Sequence, residues 1–387
     1  MTNAAATETA RRSDMAPIPA RYYYDPAWFA LEREAVFKRS WINVGHMCEL
    51  PEAGSFVRFE YEAAKASILI VRGKDGTVRG FHNVCTHRGT QLVEAERGKQ
   101  ATFSCPYHMW TFGTDGTLLS APDFERFALN KADCALKTVR VESVAGLLFA
   151  NLWPDAPPLR EWLGDLAPRM EQLAVAKATT FTEYTYEINA NWKLTYDNFQ
   201  ENYHLRFIHP KTGTPTFGKD NPFGYPASFA LHGAHRTQAI WSNPEPTIPP
   251  LQRAIAGKAV AAATDKDLLA APDGRTYFAL FPNFFLFGSP LQHFLHTVFP
   301  LSAEKSRGVI RLYWVGEEAS ASERLAREHF TAVARDVHAE DRTVIAAGQR
   351  GLSSGALEHI HFQEQEALCR HLIEQVQVAV ATWKAGG

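Results

Sequence analysis

The 387-residue chain reads as an α+β protein: a small all-β domain, then a larger domain with an antiparallel sheet flanked by helices. Three observations predict this. From Trp41 to Trp153, short runs rich in β-branched and aromatic residues alternate with glycine turns. At Pro154, Pro157 and Pro158 that texture ends, and longer helix-like and strand-like periodicities follow. A hydrophobic share of 45% over this length is enough for two separate cores.

The bulk numbers exclude several classes. A formal net charge of −2 does not suit a nucleic-acid binder, which needs a basic surface to replace counterions. No stretch reaches the roughly 18–20 apolar residues of a membrane span. The most apolar run, Phe278 to Leu291, is interrupted by Pro282, Asn283, Gly288 and Pro290. Arg11-Arg12 is followed by Ser13-Asp14 rather than an apolar region, so the N-terminus is expected to be a frayed tail, not an export signal. Five cysteines form no disulfide framework. Cys48, Cys134 and Cys369 are expected to be reduced, mostly buried small hydrophobes, which fits a cytoplasmic location.

In chain order, residues 1–40 form a tail and helical segments, with helix expected over Trp28–Phe37, that pack on the larger domain. Residues 41–155 form the β domain. There Gly73-Lys-Asp-Gly76 joins the strands Ser67–Val71 and Thr77–Phe81, Gly113-Thr-Asp-Gly116 marks a second turn, and Val144–Trp153 is a last strand. Residues 156–387 form the larger domain. Helix is expected over Leu159–Leu173, a strand over Thr180–Ile188, and one helix over Asn191–His209 stopped by Pro210. Residues 211–275 are expected to be long loops with a short helix, suited to covering a pocket. Strands follow over Tyr277–Phe287, His293–Phe299 and Gly308–Val315. The capping box Ser320-x-x-Glu323 starts a helix to about Gly348 or Gly351, and a last helix spans Leu357–Lys384.

Two clusters carry chemistry. The first is Cys85-Thr86-His87, answered by Cys105-Pro106-Tyr107-His108 beside Gly89, Gly113 and Gly116. Tetrahedral zinc accepts this ligand set, although zinc fingers usually put both cysteines in one half. A 2Fe–2S centre with two Cys on one iron and two His on the other suits a split of one Cys and one His per loop. Neutral imidazole ligands raise its potential, which suits a centre that accepts electrons and passes them on.

The second cluster runs from Asp197 through Asn198, Glu201 and His204 to His209-Pro210. On one helix, Asp197, Glu201 and His204 share a face at i, i+4 and i+7. His209 lies roughly 140° round from His204, and a bend at Pro210 brings the two imidazoles together. The same pattern fits a plain polar helix face. An iron site of two His and one carboxylate keeps open positions, and the helix after Ser320 offers Asp336, Glu340 and Asp341. Against the apolar stripe of Phe330, Val333, Val337, Val344 and Ile345, Asp341 sits about 30° from the centre, Glu340 about 70° and Asp336 about 110°. A carboxylate on an apolar face needs a partner, either a metal or the neighbouring Arg342.

Cys85-x-His87-Arg88-Gly89 with Cys105-x2-His108-x-Trp110 resembles the Rieske motif of the Rieske non-haem iron oxygenases. Asn191-Trp192-Lys193, Asn198, Glu201, Tyr203-His204 and His209 resemble the mononuclear iron motif of the same family, in the same order. The resemblance covers nearly the whole chain from Trp41. Met109 departs from it, because the family usually has glycine there. The resemblance implies a Rieske domain and a helix-grip-like catalytic domain. It implies one 2Fe–2S cluster on Cys85, His87, Cys105 and His108, and one iron(II) on His204, His209 and Asp341. Asp341 is the second member of the family's acidic pair. Asp197, Asn198 and Glu201 become catalytic candidates. Glu201 would bridge a Rieske histidine of a neighbouring subunit to the iron histidine. Ring-hydroxylating members carry aspartate there, and glutamate resembles members that oxidise betaine-like compounds.

The enzyme so implied is a terminal oxygenase (alpha) subunit and a homotrimer. It takes O2 and electrons from a ferredoxin, an NAD(P)H-dependent reductase or both, since the chain has no glycine-rich dinucleotide fingerprint of its own. The expected reaction is monooxygenation of a small organic substrate with N- or O-dealkylation. Cis-dihydroxylation of an aromatic ring is the alternative within the family, and a zinc-stabilised binding protein the alternative outside it. Phe281, Asn283, Phe285 and Phe287 alternate and are candidates for the pocket wall. His293 and His296 are expected to be structural or surface residues.

Overall fold

The computed structural model describes residues 16–262, 276–288, 293–316 and 320–386. Expectations for the N-terminal tail and for 263–275 fall outside them. The chain divides into two compact units: Phe37–Ala167, and the described residues of Met1–Val36 with Pro168–Gly387.

In the first unit an antiparallel seven-stranded sheet runs in the order Ile42–His46, Leu147–Asn151, Thr138–Val144, Val78–His82, Ala66–Arg72, Ser55–Tyr61, Arg97–Lys99. The run Ser67–Val71 is continuously apolar because the sheet is buried on both faces. Ile68 and Ile70 join one core with Val57 and Val139, while Leu69 and Val71 join the other with Phe56 and Phe81. The second core also takes in Cys85, Cys105, Trp110 and Phe112, so both cysteine loops are rooted in packed apolar side chains. Thr102–Ser104, Thr111–Gly113 and Leu118–Ser120 form a small separate sheet.

In the second unit the sheet order is Ala178–Ile188, Lys305–Val315, His293–Ser302, Phe284–Gly288, Thr276–Leu280, His235–Ala239, Ser228–His232. Helix Ala321–Ser353 lies on it through Phe330, Ala334 and Ile345, which meet Tyr186, Ile310, Leu312 and Trp314. Ser320 caps that helix, its Oγ accepting from the Glu323 N–H at 3.2 Å.

Several expectations need correction. The strand over Tyr277–Phe287 is a hairpin, Thr276–Leu280 with Phe284–Gly288, because Pro282 has no N–H for a ladder and sits in the turn. The stretch 211–275 contains the expected helix, over Pro250–Ala262, but also an unexpected second hairpin, Ser228–His232 with His235–Ala239. Helix Leu159–Leu173 is two short helices broken at Gly164, whose φ is +57°. The helix near Trp28 is regular over Pro26–Glu32 and widens to π over Arg33–Phe37. The last helix begins only at Ala367, after His359–Ile360 has paired with Ile18–Pro19.

The helix expected over Asn191–His209 is the largest correction. It is regular only over Trp192–Asp197, then passes through turns and resumes as Leu205–Ile208. Asn202, in the break, is held by side-chain bonds, donating to Gly224 O and accepting from Gln238 Nε2 at 3.0 Å. An asparagine that finds such partners off the helix favours the turn.

The first of these short helices is pinned by a buried charge cluster. Lys193 Nζ donates to Glu32 Oε1 at 2.6 Å and Trp192 Nε1 to Glu32 Oε2 at 2.8 Å, with Lys193 and Glu32 fully buried. Glu32→Ala strands the Lys193 ammonium without its carboxylate. The expected loss is about 3–5 kcal/mol, read as a lower denaturation midpoint at unchanged slope. A midpoint equal to wild type contradicts this account.

Candidate functional site

The two cysteine loops of the first unit have the same backbone geometry. Cys85 N–H donates to Thr90 O and Gly89 N–H back to Cys85 O; Cys105 N–H donates to Trp110 O and Met109 N–H back to Cys105 O. In each loop the fourth residue after the cysteine has positive φ, +83° at Gly89 and +57° at Met109. Both sulfurs are buried. Burial pushes the Cys85 thiol up, opposed by the N–H groups of His87 and Arg88. Burial also pushes Cys105 up, but the N–H groups of Tyr107 and His108 outweigh it and hold this thiol lower. His87 and His108 lie edge to face, with centroids 4.7 Å apart, and His87 stacks on Trp110 at 4.8 Å. The Nδ1 atoms of both are buried without a hydrogen-bond partner. Two sulfurs that receive N–H groups and two unpartnered imidazole nitrogens fit a cluster with two Cys and two His ligands.

In the second unit His204, His209 and Asp341 offer ligand atoms that all lie within 4.8 Å of one another. Asp341 Oδ1 is 2.9 Å from His209 Nε2 and 3.6 Å from His204 Nε2. It makes no hydrogen bond of acceptable geometry. The opposite nitrogens are both held. His204 Nδ1 meets Glu201 Oε1, and His209 Nδ1 meets Glu340 Oε2 at 2.6 Å. Thr212 Oγ1 donates to the same Glu340 oxygen at 2.7 Å. Burial lowers the His209 pKa, but Asp341 and Glu340 outweigh it and the net direction is up. Two Nε2 atoms and a carboxylate only 2% exposed therefore converge on one point. That donor set suits a divalent metal with open positions.

Family models match both regions: "Rieske [2Fe-2S] domain" over residues 40–140 and "Ring hydroxylating alpha subunit (catalytic domain)" over residues 175–382. The chain belongs to the Rieske ring-hydroxylating oxygenase family. The glycine betaine monooxygenase oxygenase subunit of Pseudomonas aeruginosa is 34% identical over 50% of this chain and 45% of its own length. The carnitine monooxygenase oxygenase subunit of Escherichia coli is 39% identical over 50% of this chain and 52% of its own length. The chain thus spans about half the length of these curated relatives. A crystal structure of the quaternary ammonium Rieske monooxygenase CntA superposes with TM-score 0.76 at 25% identity, covering 94% of this chain and 96% of that one.

Within this Rieske oxygenase the predicted residues divide. His204, His209, Asp341 and Glu201 come together. The helix break, rather than a bend at Pro210, turns the two imidazoles toward each other. Arg342 turns away from Asp341, to Tyr184 Oη and Glu187 O. The regular helix ends at Asp197, so Asp197 shares no helix face with Glu201 and His204. Its carboxylate accepts from Tyr23 Oη at 3.0 Å, and burial raises its pKa to about 7. Asp197, Asn198 and Glu201 instead line a cavity of about 210 Å³ with Glu366 and Cys369. Phe285 joins the aromatic wall with Phe199 and Phe294, and Tyr277 contacts both Phe285 and Phe287. Asn283 and Phe281 sit in the hairpin turn, with Asn283 Nδ2 tied to Val298 O. His293 and His296 are buried, so neither is a surface residue. Glu340 was a rejected ligand candidate and holds a ligand candidate instead. No periodicity signals that role, since Thr212 and His209 reach Glu340 only in the fold. Among the described residues no helix is long and apolar enough to cross a membrane.

Met109 is 57% exposed, so little packing offsets its left-handed backbone. Met109→Gly is expected to stabilise the loop by about 1 kcal/mol, measured as a higher temperature for loss of the cluster's visible absorbance. A lower temperature contradicts the backbone argument.

Proposed function

We propose that the protein is the terminal oxygenase of a Rieske system, hydroxylating a C–H bond next to nitrogen in a small quaternary ammonium compound, so that the N-alkyl group is lost. The convergence of His204 and His209 Nε2 on buried Asp341 carries this reading. The activities named for the relatives, on glycine betaine and carnitine, support the substrate class. Glutamate at position 201 points the same way.

In this reading His204, His209 and Asp341 hold one iron(II), and Cys85, His87, Cys105 and His108 hold one 2Fe–2S cluster. The iron supplies O2 activation and the cluster supplies electrons. The remaining work belongs to the side chains. Glu201 and Glu340 keep the protons of His204 and His209 on Nδ1, leaving each Nε2 as a lone-pair donor. The Thr212 hydroxyl steadies Glu340. Glu201 also accepts from the N–H groups of Tyr203 and His204, which fixes its carboxylate beside the ring. A carboxylate has about four lone-pair sites, so Glu201 can still accept from His108 of a neighbouring copy. That contact would carry electrons between subunits of a homotrimer. A reductase using NAD(P)H, with or without a ferredoxin, would feed them in. None of the five cysteines is in a disulfide, which accords with a cytoplasmic setting.

Asp341→Ala should lose the mononuclear iron and keep the cluster colour; iron analysis showing a full complement rules against Asp341 as a ligand. Turnover under labelled O2 should place one labelled atom in the hydroxylated product. A cis-diol carrying two labelled atoms would replace this reading with ring dihydroxylation, which the aromatic wall around Phe199 and Phe285 also accommodates.

A further inference from the structure

Each unit carries an exposed surface beside its own site. On the first unit, Tyr107 and Met109 flank His108, and both are more than half exposed. Met109 holds a left-handed backbone that an L residue adopts only at a cost. Strain of this kind persists where contacts hold it, often at a binding surface. His87 and His108 are partly exposed next to it, with ring centroids 4.7 Å apart. With both Nδ1 atoms given to the cluster, each ring has one N–H left, on Nε2.

On the second unit, Glu201 and Glu366 line the same cavity of about 210 Å³. Glu366 Oε2 accepts from the Gln363 N–H at 2.8 Å, so Oε1 remains for a further donor. Burial raises the Glu366 pKa and the charge of Glu201 adds to the rise, with the Gln363 N–H opposing both. Rings continue this acidic pair. Tyr203 contacts Phe223 at 5.5 Å, Phe223 stacks on Tyr225 at 5.4 Å, and Tyr225 Oη accepts from Gln363 Nε2 at 3.3 Å. The contacts run from the residue two places after Glu201 to the cap of Glu366, so carboxylates and rings form one surface. Tyr203 is 45% and Phe207 62% exposed on it. Exposed apolar groups rimmed by polar ones mark protein contacts.

We infer that this surface of one copy receives the cysteine–histidine loops of another, with His87 donating to Glu366 and Met109 packing on the rings of Tyr203 and Phe207. The inference rests on the contact proposed above between Glu201 and His108 of a neighbouring copy. A metal-bound histidine almost always gives its other N–H to a carboxylate, a backbone carbonyl or water. Glu201 answers one ring, and Glu366 on the same cavity answers the ring beside it. Two donors side by side thus meet two anionic acceptors side by side, by charge-assisted bonds. The apolar parts fall in place around them. Met109 follows His108 directly, and Tyr203 lies two residues after Glu201, so a thioether and an exposed ring flank the same contact. Sulfur packs favourably against aromatic rings. The two surfaces differ, so the contact is heterologous and joins copies head to tail, as a closed ring of subunits requires.

Sedimentation of the metal-loaded protein over a range of concentrations, with a redox titration of the cluster, tests this. Wild type should sediment as a multimer. Met109→Gly should keep iron and cluster but raise the concentration at which the multimer dissociates by about tenfold. Its loop should at the same time resist heat better, as argued above, so the weaker assembly is not misfolding. Phe207→Ala, on the opposing surface, should weaken assembly in the same way. Glu366→Gln keeps the side chain's size and removes its charge. The cluster potential should rise in the multimer and match wild type in protein diluted to single copies, where His87 meets no carboxylate. An assembled wild type in which Met109→Gly leaves dissociation unchanged, or Glu366→Gln leaves the potential unchanged, overturns this surface alone. A wild type that sediments as single copies at every concentration overturns the surface and the trimer reading with it.

Discussion

A buried carboxylate oxygen without a hydrogen bond is the constraint on which the catalytic unit depends. Asp341 is removed from water, and its Oδ1 has no hydrogen-bond partner and faces the Nε2 atoms of two imidazoles. An ionised group in that position is costly unless a cation completes it. The cost is contained because each imidazole is clamped from behind by its own glutamate, Glu201 for His204 and Glu340 for His209. These clamps come from the helix break itself and from helix Ala321–Ser353. Breaking the helix after Asp197 is what lets two histidines five residues apart point at the same carboxylate.

A second group of charges holds that break in place. Glu32 receives Trp28 Nε1, Trp192 Nε1 and Lys193 Nζ, so the carboxylate and the ammonium are both satisfied away from water. Beside it the Tyr23 hydroxyl meets Asp197, and the fully buried Arg236 lies close enough to lower the pKa of Asp197. Lys193 and Glu32 pair directly, and Arg236 acts on Asp197 at longer range, joining the N-terminal segment, the short helix Trp192–Asp197 and strand His235–Ala239. The scaffold is therefore anchored electrostatically at the point where the chain leaves the helix toward the histidines.

The two cysteine loops follow one design with one exception. They share their hydrogen bonds and the position of the left-handed residue, yet one fills that position with glycine and the other with methionine. The glycine usual in the family at Met109 has its physical reason here, since an L side chain is strained at that φ.

Some of this was readable before any fold was known. The spacing of Cys85, His87, Cys105 and His108 speaks locally, because each pair sits in one loop and a loop places its own side chains. The helix wheel singled out Asp341 by the same kind of short-range logic, and the structure buries it while leaving Asp336 exposed. The capping box at Ser320 likewise involves neighbours only. What periodicity could not contain was long-range. It favoured one continuous helix over 191–209, because propensity does not register the bonds from Gly224 and Gln238 that hold Asn202 in a turn. It read one strand where Pro282 folds two together, and it named no partner for Glu340 or His296. The partners that give those residues their roles, Thr212 and His209 for one and Tyr186 for the other, lie over a hundred positions away. Only packing the sheet against its long helix brings them within a hydrogen bond.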